Sequence, residues 1–260
     1  MIHNISIVNT EMRWNIGPGL AIPLYGLQCD ERMRAKIPRS HTCPEGPPNC
    51  SCPLHPPIAS VNVQGGIIQG AAGIKKKVNI SGLARGLTYN IGLLIAAGSK
   101  GPPARGGSQG WLNFSDLVIN ETDQPGLQFE DMPVSFSNTA RMPVTFSNCS
   151  WADVATGASV RWAKHGDNFP MLLHQTEPRS DWNQDIIGGI RFRNCTVRDS
   201  VQRPWLKCDS CGPPHAGGPV AAVTGTVTVD NKHGCAVDLG ANASGIALKV
   251  HCDRQAAAVV

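Results

Sequence analysis

The sequence predicts an all-β chain of many short strands wound as a solenoid, and three observations carry that prediction. Apolar residues alternate with polar ones over four to eight positions and stop at Gly, Pro, Asn or Asp. Several of these alternating segments are copies of one another. Gly plus Pro makes 48 of the 260 residues, about 18% against roughly 12% in an average globular protein, while charged residues are 16% against roughly 25%. That shortage of charge excludes a coiled coil, a disordered polyelectrolyte and a long solvent-exposed helix.

Taken in order, Ile5/Ile7 opens a first coil over residues 1–26. A Cys- and Pro-rich loop insertion follows over 27–57. Its core, Pro38 to Pro57, holds seven prolines in twenty residues and cannot pair into a sheet, because proline lacks the N–H donor and fixes its own φ. The main stack is expected over 58–252, with strands at Val61/Val63, Leu112/Phe114, Leu127/Phe129, Val144/Phe146, Ile190/Phe192, Val227/Val229 and Ile246/Leu248. Ile91 to Ala97, apolar on every side, reads as a buried strand. Gly98 to Gly110 and Cys208 to Gly218 read as further loops, and 253–260 as a tail.

The repetition is specific. Val144-Thr145-Phe146-Ser147-Asn148-Cys149 and Ile190-Arg191-Phe192-Arg193-Asn194-Cys195 lie 46 residues apart, which is expected to be two coils of about 23. Gly126-Leu127-Gln128-Phe129-Glu130-Asp131 and Gly189-Ile190-Arg191-Phe192-Arg193-Asn194 share a Gly and an alternating pair, and each has Val eight residues after the Gly, at Val134 and Val197. In a stack of coils the inward residues of one coil cover those of the next, and Asn or Asp takes the bend between strands. The competing arrangement is an immunoglobulin-like or jelly-roll sandwich.

Asn-x-Ser/Thr sequons begin at Asn4, Asn49, Asn79, Asn113, Asn120, Asn148, Asn194 and Asn242, eight where chance would give about two. Ten cysteines, at Cys29, Cys43, Cys50, Cys52, Cys149, Cys195, Cys208, Cys211, Cys235 and Cys252, are an even number in two groups. Together these predict a secreted, N-glycosylated, disulfide-braced chain. The start, Met1-Ile2-His3-Asn4-Ile5-Ser6-Ile7, carries no export signal, so the signal is expected upstream, with further coils continuous with these. Cys208-x-x-Cys211 with His215, His233, Cys235, His251 and Cys252 could alternatively be drawn as a zinc site, or as a redox pair. Disulfides are the expected use, and no metal site is expected.

Net charge is +4, spread along the chain, with Lys75-Lys76-Lys77 the only basic run, so no nucleic-acid stripe is present. The longest apolar stretch, Ile91 to Gly98, is far short of the roughly 20 residues of a membrane helix.

The Gly-[Leu/Ile]-x-Phe-x-[Asp/Asn]-x-x-Val units at 126–134 and 189–197, with the Phe-x-Asn-Cys units at 146–149 and 192–195, make the chain resemble secreted right-handed parallel β-helix proteins of the pectin-lyase-like class. The resemblance covers roughly 58–252, with Ile2 to Tyr25 as one more coil. It implies a right-handed parallel β-helix and, for an enzyme, action on polysaccharides. A hydrolase would need clustered aspartates, and the chain has no Asp-Asp pair; Asn9-Thr10-Glu11 replaces the family's Asn-Thr-Asp and lacks the Gly-His and Arg-Ile-Lys partner motifs.

A lyase needs only a cation or calcium ion at the uronate carboxylate and a base for the adjacent proton. Arg161, Lys164 and His165 are the candidate catalytic groups, with Trp162 and Asp167 as binding residues beside them. Arg191 and Arg193, on one outward face beside inward Ile190 and Phe192, form a second candidate binding set. The alternative, that Arg161 to Asp167 is a solvated loop and the two arginines are ordinary exterior residues, accounts for both sets without a function. The expected function is therefore non-catalytic recognition of extracellular carbohydrate or matrix along an elongated face. A lyase for acidic glycans, with calcium as its possible cofactor, and a structural spacer are the alternatives.

Overall fold

Alternation makes each short segment a strand with one inward and one outward face, and the structure assembles these strands in parallel. The computed structural model describes residues 4–13, 18–23, 60–70, 91–96, 99–100, 111–130, 142–156, 169–173, 182–183, 187–208, 223–239 and 246–253. Every regular element among them is a strand.

Along the chain the strands fall by turns into a longer and a shorter sheet. β1 (Asn4–Arg13) opens the longer sheet and β2 (Leu20–Pro23) the shorter; β3 (Ser60–Gln69) returns to the longer and β4 (Leu93–Ala96) to the shorter. After β5 (Ser99–Lys100), β6 (Trp111–Ser115) and β7 (Val118–Asn120) form one rung of the longer sheet, and β8 (Leu127–Glu130) belongs to the shorter. The next turn is β9 (Met142–Ser147) with β10 (Ser150–Ala152), then β11 (Met171–Leu173). β12 (Trp182–Asn183) pairs antiparallel with β5. The alternation resumes through β13 (Ile187–Arg198), β14 (Leu206–Cys208), β15 (Val223–Asp230), β16 (Val237–Leu239) and β17 (Ile246–Asp253).

Neighbours within each sheet are successive visits of the chain, and all their pairings are parallel. This arrangement is compatible with a β-solenoid. It corrects two sequence expectations. The 46-residue interval spans one rung, because Asn194 bonds directly to Asn148. Rung-to-rung separations are in fact unequal: 56 residues from Asn4 to Ser60, 51 from Asn62 to Asn113, 32 from Asp116 to Asn148, and 23 between the partners Val223 and Ile246. Second, the units starting at Gly126 and Gly189 lie in different sheets, Phe129 in β8 and Phe192 in β13. Both sheets demand the same in–out alternation, so the pattern alone does not separate them. The buried strand expected at Ile91 to Ala97 is β4, whose Leu93 and Ile95 are fully buried. The expected loop at 27–57 lies outside the described residues, and β17 runs one residue into the expected tail.

The core lies between the two sheets. Ile5, Val61, Leu112, Val144, Ile190, Val223 and Ile246 occupy one inward register column of the longer sheet. The adjacent inward column carries the aromatic stack. Phe146 lies between Phe114, at 4.8 Å, and Phe192, at 5.3 Å, each with ring planes 14° apart. Trp151 meets Phe146 edge-on at 5.7 Å, and Phe129 of the shorter sheet does the same at 6.4 Å. Burying each such side chain is worth about 2–3 kcal/mol, with roughly 1 kcal/mol more from ring geometry.

Mid-rung the chain bends at left-handed residues: Asn9 (φ 48°), Gly65 (φ 65°), Asp116 (φ 55°), Asn148 (φ 53°) and Asn194 (φ 51°) share one register position. Asn and Asp tolerate this region better than other residues with a side chain. Their side chains also bond along the stack: Asn148 Nδ2 donates to Asp116 Oδ1 at 3.2 Å, and Asn194 Nδ2 to Asn148 Oδ1 at 3.0 Å. Gly65 is required because any Cβ there would run into the Asn9 amide. The column ends at β15, where the register slips between Phe192 and Cys195 and Gly225, opposite Phe192, takes a positive φ of 112°.

Where β13 turns toward β14, a buried ion pair ties the corner to the previous turn. Arg203 donates from Nε to Asp199 Oδ2 at 2.7 Å and from Nη2 to Oδ1 at 3.1 Å. Its remaining donors reach the carbonyls of Ala155, at 2.7 Å, and Val154, at 2.8 Å. The guanidinium thus ties the Asp199 corner to the Val154–Ala155 corner.

Two substitutions test this reading. Phe146→Ala is expected to lower unfolding free energy by about 3–5 kcal/mol in urea titration, since the ring lies within an aromatic column that cannot collapse. Arg203→Met, which strands the buried Asp199 carboxylate, is expected to cost about 3–5 kcal/mol by the same measurement.

Candidate functional site

The bend column divides the outer face of the longer sheet into two halves with different charge. On the half that precedes it, the described residues include no Asp or Glu, and the charged side chains are Arg191, Arg193 and Lys249, all exposed. None of the three makes an ion pair with a described residue. On the half that follows, both signs occur together: Arg13 pairs with Glu11 at 2.9 Å and Arg198 with Asp230 at 3.3 Å, and Asp253 lies beside Asp230. Arg13, through its bond to Glu11, holds that carboxyl below its ordinary pKa.

Alternation builds the cationic half. Ile190 and Phe192 are fully buried, so Arg191 and Arg193 point outward. Register sets their neighbours. Arg191 shares an outward column with Ser6, Asn62, Asn113, Thr145 and Thr224, all uncharged. Arg193 lies beside Ser147. Two rungs away, Trp111 stands 45% exposed, and its Nε1 donates to Asn62 Oδ1 at 3.2 Å, an oxygen that also accepts from Asn113 Nδ2 at 3.2 Å. The indole is thereby tethered through its N–H to a pair of linked amides. The face combines an aromatic plate, amide donors and acceptors, and unmatched guanidinium groups, on rungs spaced by about 4.8 Å. Aromatic faces stack on apolar faces of sugar rings, and guanidinium forks bind carboxylate or sulfate in pairs of bonds.

Of the residues singled out by sequence, Arg191 and Arg193 are brought onto this face. Arg161, Trp162, Lys164, His165 and Asp167 lie outside the described residues. Trp151 and Trp205 are fully buried, each with an indole N–H that has no partner, so neither is a sugar platform. Sequence reasoning missed Asn62 and Lys249 and did not separate Trp111 from the other tryptophans. The signal was available: Val61-Asn62-Val63, Leu112-Asn113-Phe114, Val144-Thr145-Phe146 and Ile190-Arg191-Phe192 each place an outward residue at the same point of the repeat.

The cysteines divide by role. Cys235 is joined to Cys252, and Cys208 is also in a disulfide, which removes their sulfurs from the zinc alternative. Among the described residues no group of three or more His, Cys, Asp or Glu could hold a metal ion. Cys149 and Cys195, expected in disulfides, are instead free, buried thiols on adjacent rungs. Each is also within hydrogen-bond reach of a carbonyl of the preceding rung, Phe114 O for Cys149 and Phe146 O for Cys195, at 3.5 Å. The bond shared between them, together with burial, pushes the Cys149 thiol up, and the same bond draws the Cys195 thiol down, so Cys149 is the one that holds its proton.

Four sequons other than Asn4 fall on described residues in paired surroundings or partial burial. Asn148 and Asn194 are exposed in the bend column, Asn113 bonds to Asn62, and Asn120 keeps a buried Oδ1 without a partner. Asn49, Asn79 and Asn242 lie outside the described residues.

No family model, curated protein or solved structure matches the chain.

Alkylation followed by peptide mapping is expected to label Cys149 and Cys195 only after unfolding.

Proposed function

We propose that this chain is a right-handed parallel β-helix of the pectin-lyase-like kind, secreted and N-glycosylated, whose role is to recognise acidic extracellular carbohydrate along the outer face of its longer sheet. The observation that carries the proposal is charge segregation. The half-face before the bend column presents Arg191, Arg193 and Lys249 without one acidic described residue, next to an exposed indole fixed by Asn62. Ordinary solvated surface mixes both signs, as the other half of the same sheet does. The alternation of strands between two parallel sheets supports the β-helix reading, and the sequons and disulfides support secretion.

Binding is favoured over cleavage because a lyase needs a proton acceptor near its cations. Among the described residues of the cationic half-face there is no carboxylate or imidazole. A glycan on Asn113 would lie across this face, so the state of that sequon governs access to it.

The test is retention on immobilised acidic polysaccharides, galacturonan and sulfated glycans, with a neutral glucan as control, using protein with and without enzymatic deglycosylation. Salt-sensitive retention on the acidic matrices alone is expected. Arg191→Ala with Arg193→Ala is expected to weaken it by roughly tenfold or more, since each charge-assisted contact is worth about 1.5–3 kcal/mol. Absorbance of an unsaturated product, abolished by His165→Ala, would establish the lyase instead. Absence of retention on every matrix would leave the spacer reading and overturn recognition.

A further inference from the structure

The half-face before the bend column is divided a second time, along the stack. Arg191 and Arg193 stand on β13 and Lys249 on β17, while the outward register positions of β1, β3, β6 and β9 hold only Asn, Gln, Ser, Thr, Pro, Val and Trp. The column of Arg191 reaches it through Ser6, Asn62, Asn113 and Thr145, and the column of Arg193 through Val8, Gln64, Ser115 and Ser147. The indole marks the uncharged end. Trp111 Nε1 reaches back from β6 to Asn62 of β3, away from β13, which lies two rungs further on. From β3 to β17 the face is five rung spacings long, about 24 Å.

The two ends suit different sugars. An aromatic ring presents the negative face of its quadrupole, which accepts the C–H face of a neutral sugar and repels carboxylate or sulfate. Amide and hydroxyl side chains both donate and accept, as sugar hydroxyls do, whereas an ionised carboxylate only accepts. Among the described residues of this half-face its charge-assisted donors occur on β13 and β17 alone.

We infer that the ligand of this face is a glycan of mixed charge, lying across the rungs with neutral sugars over Trp111, Asn62 and Asn113 and acidic sugars over Arg191, Arg193 and Lys249. The inference rests on the carbohydrate reading above and adds a polarity to it. A uniformly acidic polymer of the same length sets anionic groups against the indole and against amides that do not neutralise them, so the uncharged end selects against it.

The experiment is isothermal titration calorimetry on the full chain produced without N-glycans, because a glycan on Asn113 would cover the site. The probes are oligosaccharides of equal length that span the face: an oligogalacturonate, a cello-oligosaccharide, and two mixed chains in which a galacturonate half and a glucose half are joined in either order. One mixed chain is expected to bind roughly tenfold more tightly than the oligogalacturonate, and the neutral chain at least about tenfold more weakly than both. Trp111→Ala is expected to bring that mixed chain down to the level of the oligogalacturonate. Asn62→Ala, which releases the indole, is expected to act in the same direction, with circular dichroism verifying the fold of each variant. Oligogalacturonate binding as tightly as both mixed chains, or a preference that survives both substitutions, overturns the polarity and leaves acidic recognition standing. Binding of no acidic probe, or a neutral chain that binds as tightly as the mixed ones, overturns both.

Discussion

The structure depends on in-register stacking of inward side chains between parallel rungs. Phe114, Phe146 and Phe192 lie almost plane to plane, and that contact exists only if the three rungs keep the same phase. A one-residue slip in any of them would turn its ring outward, and in the last it would also turn Arg191 or Arg193 inward. The apolar column and the placement of the cations are therefore one constraint. Bends at Asn148 and Asn194 serve the same phase, because their side-chain bonds connect rungs at the position where the backbone changes direction.

Much of this was legible in the sequence. Alternation located the inward pairs from Ile5/Ile7 to Ile246/Leu248, and the recurrence of Asn before Cys marked the bend. The outward position of Arg191 and Arg193 followed from the same two-residue period. Spacing was misread because a stack constrains only the residues that touch: 23 residues between one pair of rungs and 56 between another satisfy the same contacts. The assignment of Gly126 and Gly189 to equivalent strands failed for a related reason, since two sheets facing one core impose the same pattern.

The thiols were misassigned for a different physical reason. An even cysteine count suggests pairing, but Cys149 and Cys195 occupy inward positions where small apolar side chains are wanted, in a column with Leu117 and Val227. A cysteine there acts as a compact hydrophobe with a weak donor. The charge difference between the two halves of the outer face was likewise invisible in net charge, because it is a property of register: Arg193 and Glu11 become comparable only once their columns are known. Arg203 could not be assigned from sequence either, as its partners at Val154 and Ala155 are some fifty positions earlier.

The unequal distances between stacked rungs have an evolutionary consequence. Because the column senses only which side chains meet, segments between strands can lengthen or shorten by dozens of residues without disturbing the contacts on either side. Descendants of such a chain would drift fastest in length, keeping a geometric identity long after their alignments had dissolved into gaps.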